Sequence, residues 1–347
     1  MFEGFANVWT PVIAARSLRR KPLAVRLAEE PVVLFRDGRG GVGALIDRCP
    51  HRGVALSLGK VNERGCLECP FHGWSFERDG SCAHVPLNDV PEARRARYAA
   101  TALPAREVGG LVWVFTGADA AGAEPEPPPA LVEEGWSLWI HAEIWDAHWT
   151  RAMENMLDTP HVPFVHRRTI GRAMRARMKP DSRLEMTVEA VAWGARFHAE
   201  LDGTATGASL DWRRPNCMVL DIPIPGRGLR MHIWCVPIDA THVRMILVAG
   251  RTFLRYNPLG WLSDQYNRLI LLEDRAIVQS SQPPEVPPPG DENSVATDGP
   301  TLHFRHYYYK ELRPSGGSLV PAAQLASTPR RRDDDAPSEG VHAVEAS

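Results

Sequence analysis

Apolar and polar positions change rhythm along the chain. Between residues 32 and 113, short apolar runs alternate with turn-forming residues, the pattern of a β-rich unit. Residues 32–35 and Val42–Ile46 are two such runs, and the intervening Arg36-Asp37-Gly38-Arg39-Gly40-Gly41 predicts a hairpin loop. Leu111–Phe115 predicts the last strand of a unit over about 1–120, and the Ala-, Gly-, Glu- and Pro-rich stretch 117–129 reads as a linker. A second unit, about 130–312, opens with a strand over 137–144 and turns helical from Trp149. It returns to strands over 184–248, including 231–236 and 243–248. From about 259 to 281, Leu259, Leu262, Tyr266, Leu269, Ile270 and Ile277 recur at spacings of three and four, which predicts a helix with that face turned inward. Residues 301–309 predict a final strand, and the tail 313–347, poor in anything to bury, predicts disorder. Strand-rich and helical stretches in this arrangement give an α+β class.

The hairpin loop contains a false lead. Gly38, Gly40 and Gly43 satisfy the letters GxGxxG, but a dinucleotide-binding turn must open a helix, and another strand follows here. The glycines are read as a turn.

Composition narrows the class. A chain of 347 residues has room for two domains, and 44 % hydrophobic with 24 % charged residues suits cores that need no disulfides. The formal charge is -2, from 40 basic and 42 acidic side chains, which gives no reason to expect a nucleic acid or a membrane surface as partner. The first residues lack the charged and apolar pattern of a signal peptide, and no run of about 18 apolar residues predicts a spanning helix. Of six cysteines, Cys49, Cys66, Cys69 and Cys82 fall close together, two of them beside histidines. That clustering favours metal over disulfides, and the expectation is a cytoplasmic protein.

Cys49, His51, Cys69 and His72 form the first constellation: Cys-x-His, 17 intervening residues, then Cys-x-x-His. Two thiolates and two imidazoles can hold zinc tetrahedrally. Common zinc fingers, however, pair like with like, whereas each half here supplies one residue of each type. A Rieske [2Fe–2S] centre needs two Cys on one iron and two His on the other, and two facing loops of this composition meet that need. Pro50, Gly53 and Gly73 permit tight loops, and Phe71 and Trp74 can shield the site. Cys66 and Cys82 fall outside the pattern and are read as non-ligands. The stretches CPHRGVALSLGKV (49–61) and CPFHGWSF (69–76) resemble the Rieske domain of ring-hydroxylating and demethylating oxygenases.

The second constellation lies in ENMLDTPHVPFVH (154–166). Asp158 and His161 would share a helix face, and Pro160 predicts a break with the helix restarting at that proline, which could bring His166 round to His161. Two imidazoles and one carboxylate with open positions opposite make the facial triad of non-haem Fe(II) oxygenases. A single histidine is more often structural, but the segment also resembles the mononuclear-iron motif of the same family, with Asn155, Asp158, His161 and His166 at the matching positions.

The resemblance implies more than the spacing does. It places the third ligand on a late helix, where LLEDRAIVQSSQ (271–282) offers Asp274, with the neighbouring Glu273 as the substitute. It implies that Asp158 bridges His161 to His72 of a neighbouring subunit in a homotrimer. Asn155 is read as orienting Asp158 or bound oxygen, or as a cap or solvated side chain. An N-terminal all-β Rieske domain and a C-terminal catalytic domain with an antiparallel sheet flanked by helices are implied. So are a [2Fe–2S] cluster, a mononuclear Fe(II) and O2 as co-substrate. With no nicotinamide fingerprint in the chain, NAD(P)H would act only through a separate reductase, with or without a ferredoxin. Trp212, Met218, Ile233, Trp234 and Met245 suggest an apolar, aromatic or polycyclic substrate, or equally an ordinary core. The chain looks most similar to short homo-oligomeric monooxygenases and O- or N-demethylases. Cis-dihydroxylation and a pure electron-transfer role are the alternatives.

Overall fold

The structure, a computed structural model, describes residues 1–254 and 259–313. Among these, the N-terminal part is built from strands β1 (Trp9–Ala14), β2 (Leu23–Leu27), β3 (Glu30–Arg36), β4 (Val42–Ile46), β5 (Lys60–Val61), β6 (Leu67–Glu68), β7 (Ser75–Phe76), β8 (Cys82–His84), β9 (Ala102–Leu103), β10 (Ala105–Val108) and β11 (Leu111–Phe115), with one short helix, α1 (Glu92–Arg95). They pair as three small antiparallel sheets, in the orders β1-β11-β10, β2-β3-β4-β9 and β5-β6-β7-β8. Every residue of β4 and β11 is buried, which explains why both read as unbroken apolar runs. The β3–β4 loop is the predicted hairpin; Gly40 takes φ +84° there, a conformation glycine adopts without steric cost, and a strand follows it.

The C-terminal part contains strands β12 (Ser137–Trp145), β13 (Leu184–Val191), β14 (Gly194–Leu201), β15 (Thr204–Ala205), β16 (Ser209–Arg213), β17 (Cys217–Ile224), β18 (Arg227–Pro237) and β19 (Val243–Arg251). They form one antiparallel sheet in the order β12-β19-β18-β17-β16-β14-β13, with β15 on β14. Helices α2 (Trp149–Leu157), α3 (Val162–Val165), α4 (Arg172–Arg177), α5 (Leu259–Gln279) and α6 (Gly299–Tyr307) complete it. No described helix is long and apolar enough to cross a membrane.

One buried cluster runs through both parts: Phe5 meets Trp149 of α2 edge-on at 5.3 Å, and Trp113 of β11 meets Trp234 of β18 at 5.7 Å. A second, smaller cluster holds Cys49 and Cys69 among Val33, Phe35, Leu45, Leu56 and Phe76. Between α2 and α6, Arg151 and Arg305 alternate with Glu154 and Glu292 in a closed ring of ion pairs, Arg151–Glu292 at 2.8 Å and Arg305–Glu292 at 2.6 Å. Each charge in that ring therefore keeps a partner, the condition for placing charges out of water.

Three expectations are corrected. Residues 301–309 are not a strand: α6 spans Gly299–Tyr307 and a π-turn spans Tyr308–Leu312. Pro300 sits in its first turn, and Phe304, Tyr308 and Leu312 are buried at four-residue spacing, so helical packing overrides the β-preference of an aromatic-rich segment. The helix expected at 259–281 is present, but rotated. Its buried face carries Asp264, Asn267, Leu271, Asp274 and Val278, while Leu262, Tyr266, Leu269 and Ile277 are exposed. The polar residues turn inward because partners wait there: Arg251 pairs with Asp264, and two histidines meet Asp274. Finally, α2 ends at Leu157 with Asp158 extended (φ -86°, ψ 108°), and the next helix starts at Val162 with Pro163, not Pro160, in its first turn. Asp158 and His161 are thus neighbours across a turn rather than on one helix face. The tail beyond Arg313 lies outside the described residues.

Candidate metal centres

Two loops of the N-terminal part are built alike. In the first, Cys49 N–H donates to the Val54 carbonyl (2.8 Å) and Gly53 N–H donates back to the Cys49 carbonyl (2.9 Å). In the second, Cys69 N–H donates to the Trp74 carbonyl (2.7 Å) and Gly73 N–H to the Cys69 carbonyl (3.1 Å). Gly53 and Gly73 take φ +73° and +69°, so each Cys-Pro-x-x-Gly run closes through a left-handed glycine.

The loops face each other. The His51 and His72 rings are 4.7 Å apart, and His51 stacks flat on Trp74 at 4.5 Å. Cys49 and Cys69 are buried; burial and the facing Cys69 thiol push the Cys49 thiol up to about 11 despite backbone hydrogen bonds that oppose it. A thiol held neutral in that way is released by a metal, which binds the thiolate. His51 Nδ1 is buried with no hydrogen-bond partner, an atom that a metal would satisfy. Cys66 and Cys82 are engaged elsewhere, with Glu77 Oε1 at 3.3 Å and the His84 carbonyl at 3.8 Å.

The donor spacing separates one metal from two. Among the described residues, only His161, His166 and Asp274 bring three metal-binding atoms within 4.8 Å of one another. Tetrahedral zinc with bonds of about 2.0–2.3 Å would hold all its donors within about 3.8 Å. The two Cys-His loops are spread more widely, as a binuclear cluster with two Cys on one iron and two His on the other requires.

The second centre forms where the α2–α3 turn meets α5. His161 Nε2 and His166 Nε2 lie 3.2 Å apart, and Asp274 Oδ1 lies 3.4 Å from the first and 3.1 Å from the second. Ligands about 2.1 Å from one ion and at right angles sit about 3.0 Å from each other, so the three atoms are spaced as one face of a six-coordinate ion. Asp274 is 4 % exposed and its Oδ1 has no hydrogen-bond partner, although both imidazole nitrogens are near. An unsatisfied buried carboxylate oxygen costs about 1–3 kcal/mol or more, and a cation at the shared point removes that cost.

Both histidines have a carboxylate behind them. His166 Nδ1 is 2.8 Å from Glu273 Oε2, which also accepts from the Thr169 hydroxyl at 2.6 Å. His161 Nδ1 has Asp158 Oδ2 at 3.9 Å. Burial pushes the Asp158 carboxyl up, against the pull of His161. Burial would raise Asp274 as well, but contacts from His161 and His166 win and hold it below its ordinary value. Asn155 is half-buried, and its Nδ2 is buried and unpartnered. Thr169 and Asn267, the latter also with a buried unpartnered Nδ2, escaped the reading of the sequence. Only Thr169, three residues past His166, carried a local hint. Trp212, Met218, Ile233, Trp234 and Met245 all fall in the buried core cluster.

One chain thus carries two facing Cys-His loops, suited to an iron–sulfur cluster, and a His-His-Asp face that could hold a single metal ion. Residues 8–95 match the Rieske [2Fe-2S] domain family, and residues 145–312 match the vanillate O-demethylase oxygenase C-terminal domain family. The chain is 32 % identical over 275 residues to the phenoxybenzoate dioxygenase subunit alpha of Ectopseudomonas oleovorans, covering 71 % of this chain and 64 % of that protein. It is 32 % identical over 265 residues to the tert-butanol monooxygenase / tert-amyl alcohol desaturase oxygenase subunit of Aquincola tertiaricarbonis (70 % and 55 %). It is 33 % identical over 307 residues to the chloroplastic chlorophyllide a oxygenase of Chlamydomonas reinhardtii (81 % and 44 %). The match thus spans roughly half to two thirds of these curated relatives. In fold it is similar to Pseudomonas putida CBB5 NdmA with caffeine (TM-score 0.75, 24 % identity, 87 % of this chain and 89 % of that one) and to dicamba monooxygenase bound to dicamba (0.72, 22 %, 88 % and 97 %). The chain belongs to the Rieske oxygenases.

Proposed function

We propose that this chain is an oxygenase component that uses O2 and externally supplied electrons to hydroxylate, or to O- or N-demethylate, an apolar aromatic small molecule. The observation that carries this reading is the convergence of His161 Nε2, His166 Nε2 and Asp274 Oδ1 at 3.1–3.4 Å in a chain that also has the two Cys-His loops. Cys49, His51, Cys69 and His72 would hold a [2Fe–2S] cluster, and His161, His166 and Asp274 a ferrous ion. Bound there, the first would supply one-electron transfer and the second a place to activate O2.

The chain's own residues prepare both sites. Glu273 accepts from His166 Nδ1–H and thereby presents the Nε2 lone pair to the metal. Asp158 stands in the same relation to His161, but its side chain is 37 % exposed. A carboxylate with one flank on a ligand histidine and the other open can accept an imidazole N–H from a second chain, and we assign that partner as His72 of the partner subunit. The His72 loop is exposed, and Phe71, whose ring meets that of His72 at 3.9 Å, is 59 % exposed, an apolar side chain suited to being covered. A contact of this kind is head-to-tail and closes as a ring, for which we propose a trimer. Electrons would reach the exposed loop from a separate reductase, directly or through a ferredoxin.

The test is iron and acid-labile sulfide per chain on anaerobically purified protein, with electron paramagnetic resonance after reduction, followed by turnover of aromatic ethers and amines under 18O2. About three irons and two sulfides, with one labelled oxygen per turnover, in a hydroxylated product or in the formaldehyde released by demethylation and trapped at once, support the reading. Two labelled oxygens would make it a cis-dihydroxylating enzyme, and stoichiometric zinc without iron would overturn it.

A further inference from the structure

A cleft of about 320 Å³ opens between the N-terminal sheet and the β16–β17 corner of the large sheet. Side chains alternate faces along a strand. Trp212, Met218 and Ile233 are cross-strand neighbours on one face, where Trp212 meets Phe304 of α6 at 5.8 Å. Trp234 points the other way, to Trp113 of β11. The cleft lies beside this pair, between the N-terminal sheet, the 123–128 connection, the β16–β17 corner and Tyr307 of α6, with Trp9, Trp113, Trp193 and Trp234 among its walls.

Two cations face it without an acidic partner. The Arg213 guanidinium lies 4.7 Å over the Trp193 ring, and that of Arg214 lies 5.4 Å over Tyr307. The Nε atom of each is buried and has no hydrogen-bond partner, and among the described residues neither arginine forms an ion pair. Neighbouring arginines are neutralised: Arg196 pairs with Asp211 at 2.8 Å and Arg230 with Asp221 at 2.8 Å. Of the acids at the rim, Glu124 is engaged by Arg106 through two contacts of 2.7 Å, and Glu126 is exposed. The cleft therefore keeps a net positive interior between aromatic walls.

We propose that this cleft is a second, non-catalytic binding site for a planar aromatic carboxylate. Its volume is at the low end for ligand pockets, which run about 300–1,000 Å³, so a one- or two-ring acid fits. Indole rings supply stacking surface, and a guanidinium pre-oriented by an aromatic face offers its donors to a carboxylate in a fixed geometry. Such a ligand touches the N-terminal and C-terminal sheets at once, so binding holds the two parts together and raises the melting temperature by mass action. The proposal stands apart from the oxygenase reading, because it uses none of the metal-site residues.

The experiment is isothermal titration calorimetry of the full chain with benzoate and 2-naphthoate, using benzamide and 2-naphthamide as uncharged controls. Hydrogen–deuterium exchange on the same samples locates the ligand. The acids should bind at least about tenfold more tightly than the amides, and Arg213→Gln with Arg214→Gln should lose at least that factor. Asp274→Ala should bind as the parent does, and protection should appear over 192–194 and 213–217. If the double variant misfolds, Trp193→Ala, at a half-buried position in the β13–β14 turn, should weaken binding several-fold with the melting curve retained. Equal binding of acids and amides, unchanged affinity in the arginine variant, protection confined to 153–166 and 267–274, or no heat at millimolar acid would each overturn the site.

Discussion

His166 Nδ1 lies 2.8 Å from Glu273 Oε2, while the opposite ring nitrogen, Nε2, lies 3.1 Å from Asp274 Oδ1. Two consecutive acids on one helix thus address the two nitrogens of one imidazole. Asp274 stands on the side where the proposed metal would lie, and Glu273 behind the ring. The first prediction follows from that division. Asp274→Ala should lose the mononuclear iron and keep the Rieske spectrum, whereas Glu273→Gln should retain iron with affinity lowered by about 10–100-fold. Iron per chain, titrated against a chelator, separates the two. Retention of iron by Asp274→Ala with loss in Glu273→Gln would reverse the assignment.

Part of this arrangement was legible in the sequence and part was not. The Cys-Pro-x-x-Gly runs at Cys49 and Cys69 are contiguous, so their loops and the Cys and His candidates they carry could be read directly from the chain. The choice between Glu273 and Asp274 could not be read from spacing. Neighbours on a helix point about 100° apart, and which one faces inward depends on what packs against the helix. The exposed stripe Leu262, Tyr266, Leu269 and Ile277 makes the same point: periodicity finds the helix, but the partners of Asp264 and Asp274 set its rotation. Residues 301–309 failed for a related reason, because the aromatic content that suggested a strand serves to pack Phe304 and Tyr308 against Trp149.

Asp158 is placed to act without holding a metal. It is 3.9 Å from His161 Nδ1 and 37 % exposed, so replacing its charge should leave both metal sites filled. Asp158→Asn is expected to keep about three irons per chain and an unchanged spectrum for the reduced cluster. Re-oxidation of that cluster by O2 in the presence of substrate should slow by at least about tenfold in stopped-flow measurements. Parental kinetics in this variant would remove the bridging role.

Acid sensitivity should trace in part to His232. The residue is fully buried, its Nε2 has no partner, and burial lowers its pKa to about 4, although the contact with the Val248 carbonyl opposes this. In the unfolded chain the ring titrates near the ordinary 6.5. Between those values the unfolded state binds more protons, so the contribution of neutral His232 is complete above pH 6.5 and is lost as pH falls toward 4. The loss amounts to about 2 kcal/mol by pH 5. His148, also lowered to about 4 by burial, acts in the same direction. Carboxylates contribute to the same slope, so the informative quantity is the difference between parent and His232→Phe. Urea midpoints measured from pH 7 to pH 5 should fall less steeply in the variant, and parallel curves would remove His232 as the cause.

Trp212 tests whether the large apolar residues of the sheet serve as core or as pocket wall. It is fully buried on the helix side of the sheet and meets His303, Phe304 and Tyr307 edge-on at 5.8, 5.8 and 5.1 Å, with its Nε1–H donating to the Pro215 carbonyl at 3.1 Å. Truncation removes a large buried ring and leaves that carbonyl without its donor, at a cost of about 3–5 kcal/mol. Its contacts are with α6 rather than with His161, His166 or Asp274, so the metals should be indifferent to the change. Trp212→Ala is therefore expected to lower the urea midpoint by that free energy while the folded fraction keeps its iron content. Trp212→Phe should recover most of the stability. A variant of unchanged stability but altered substrate preference would instead place Trp212 in the wall of the catalytic pocket.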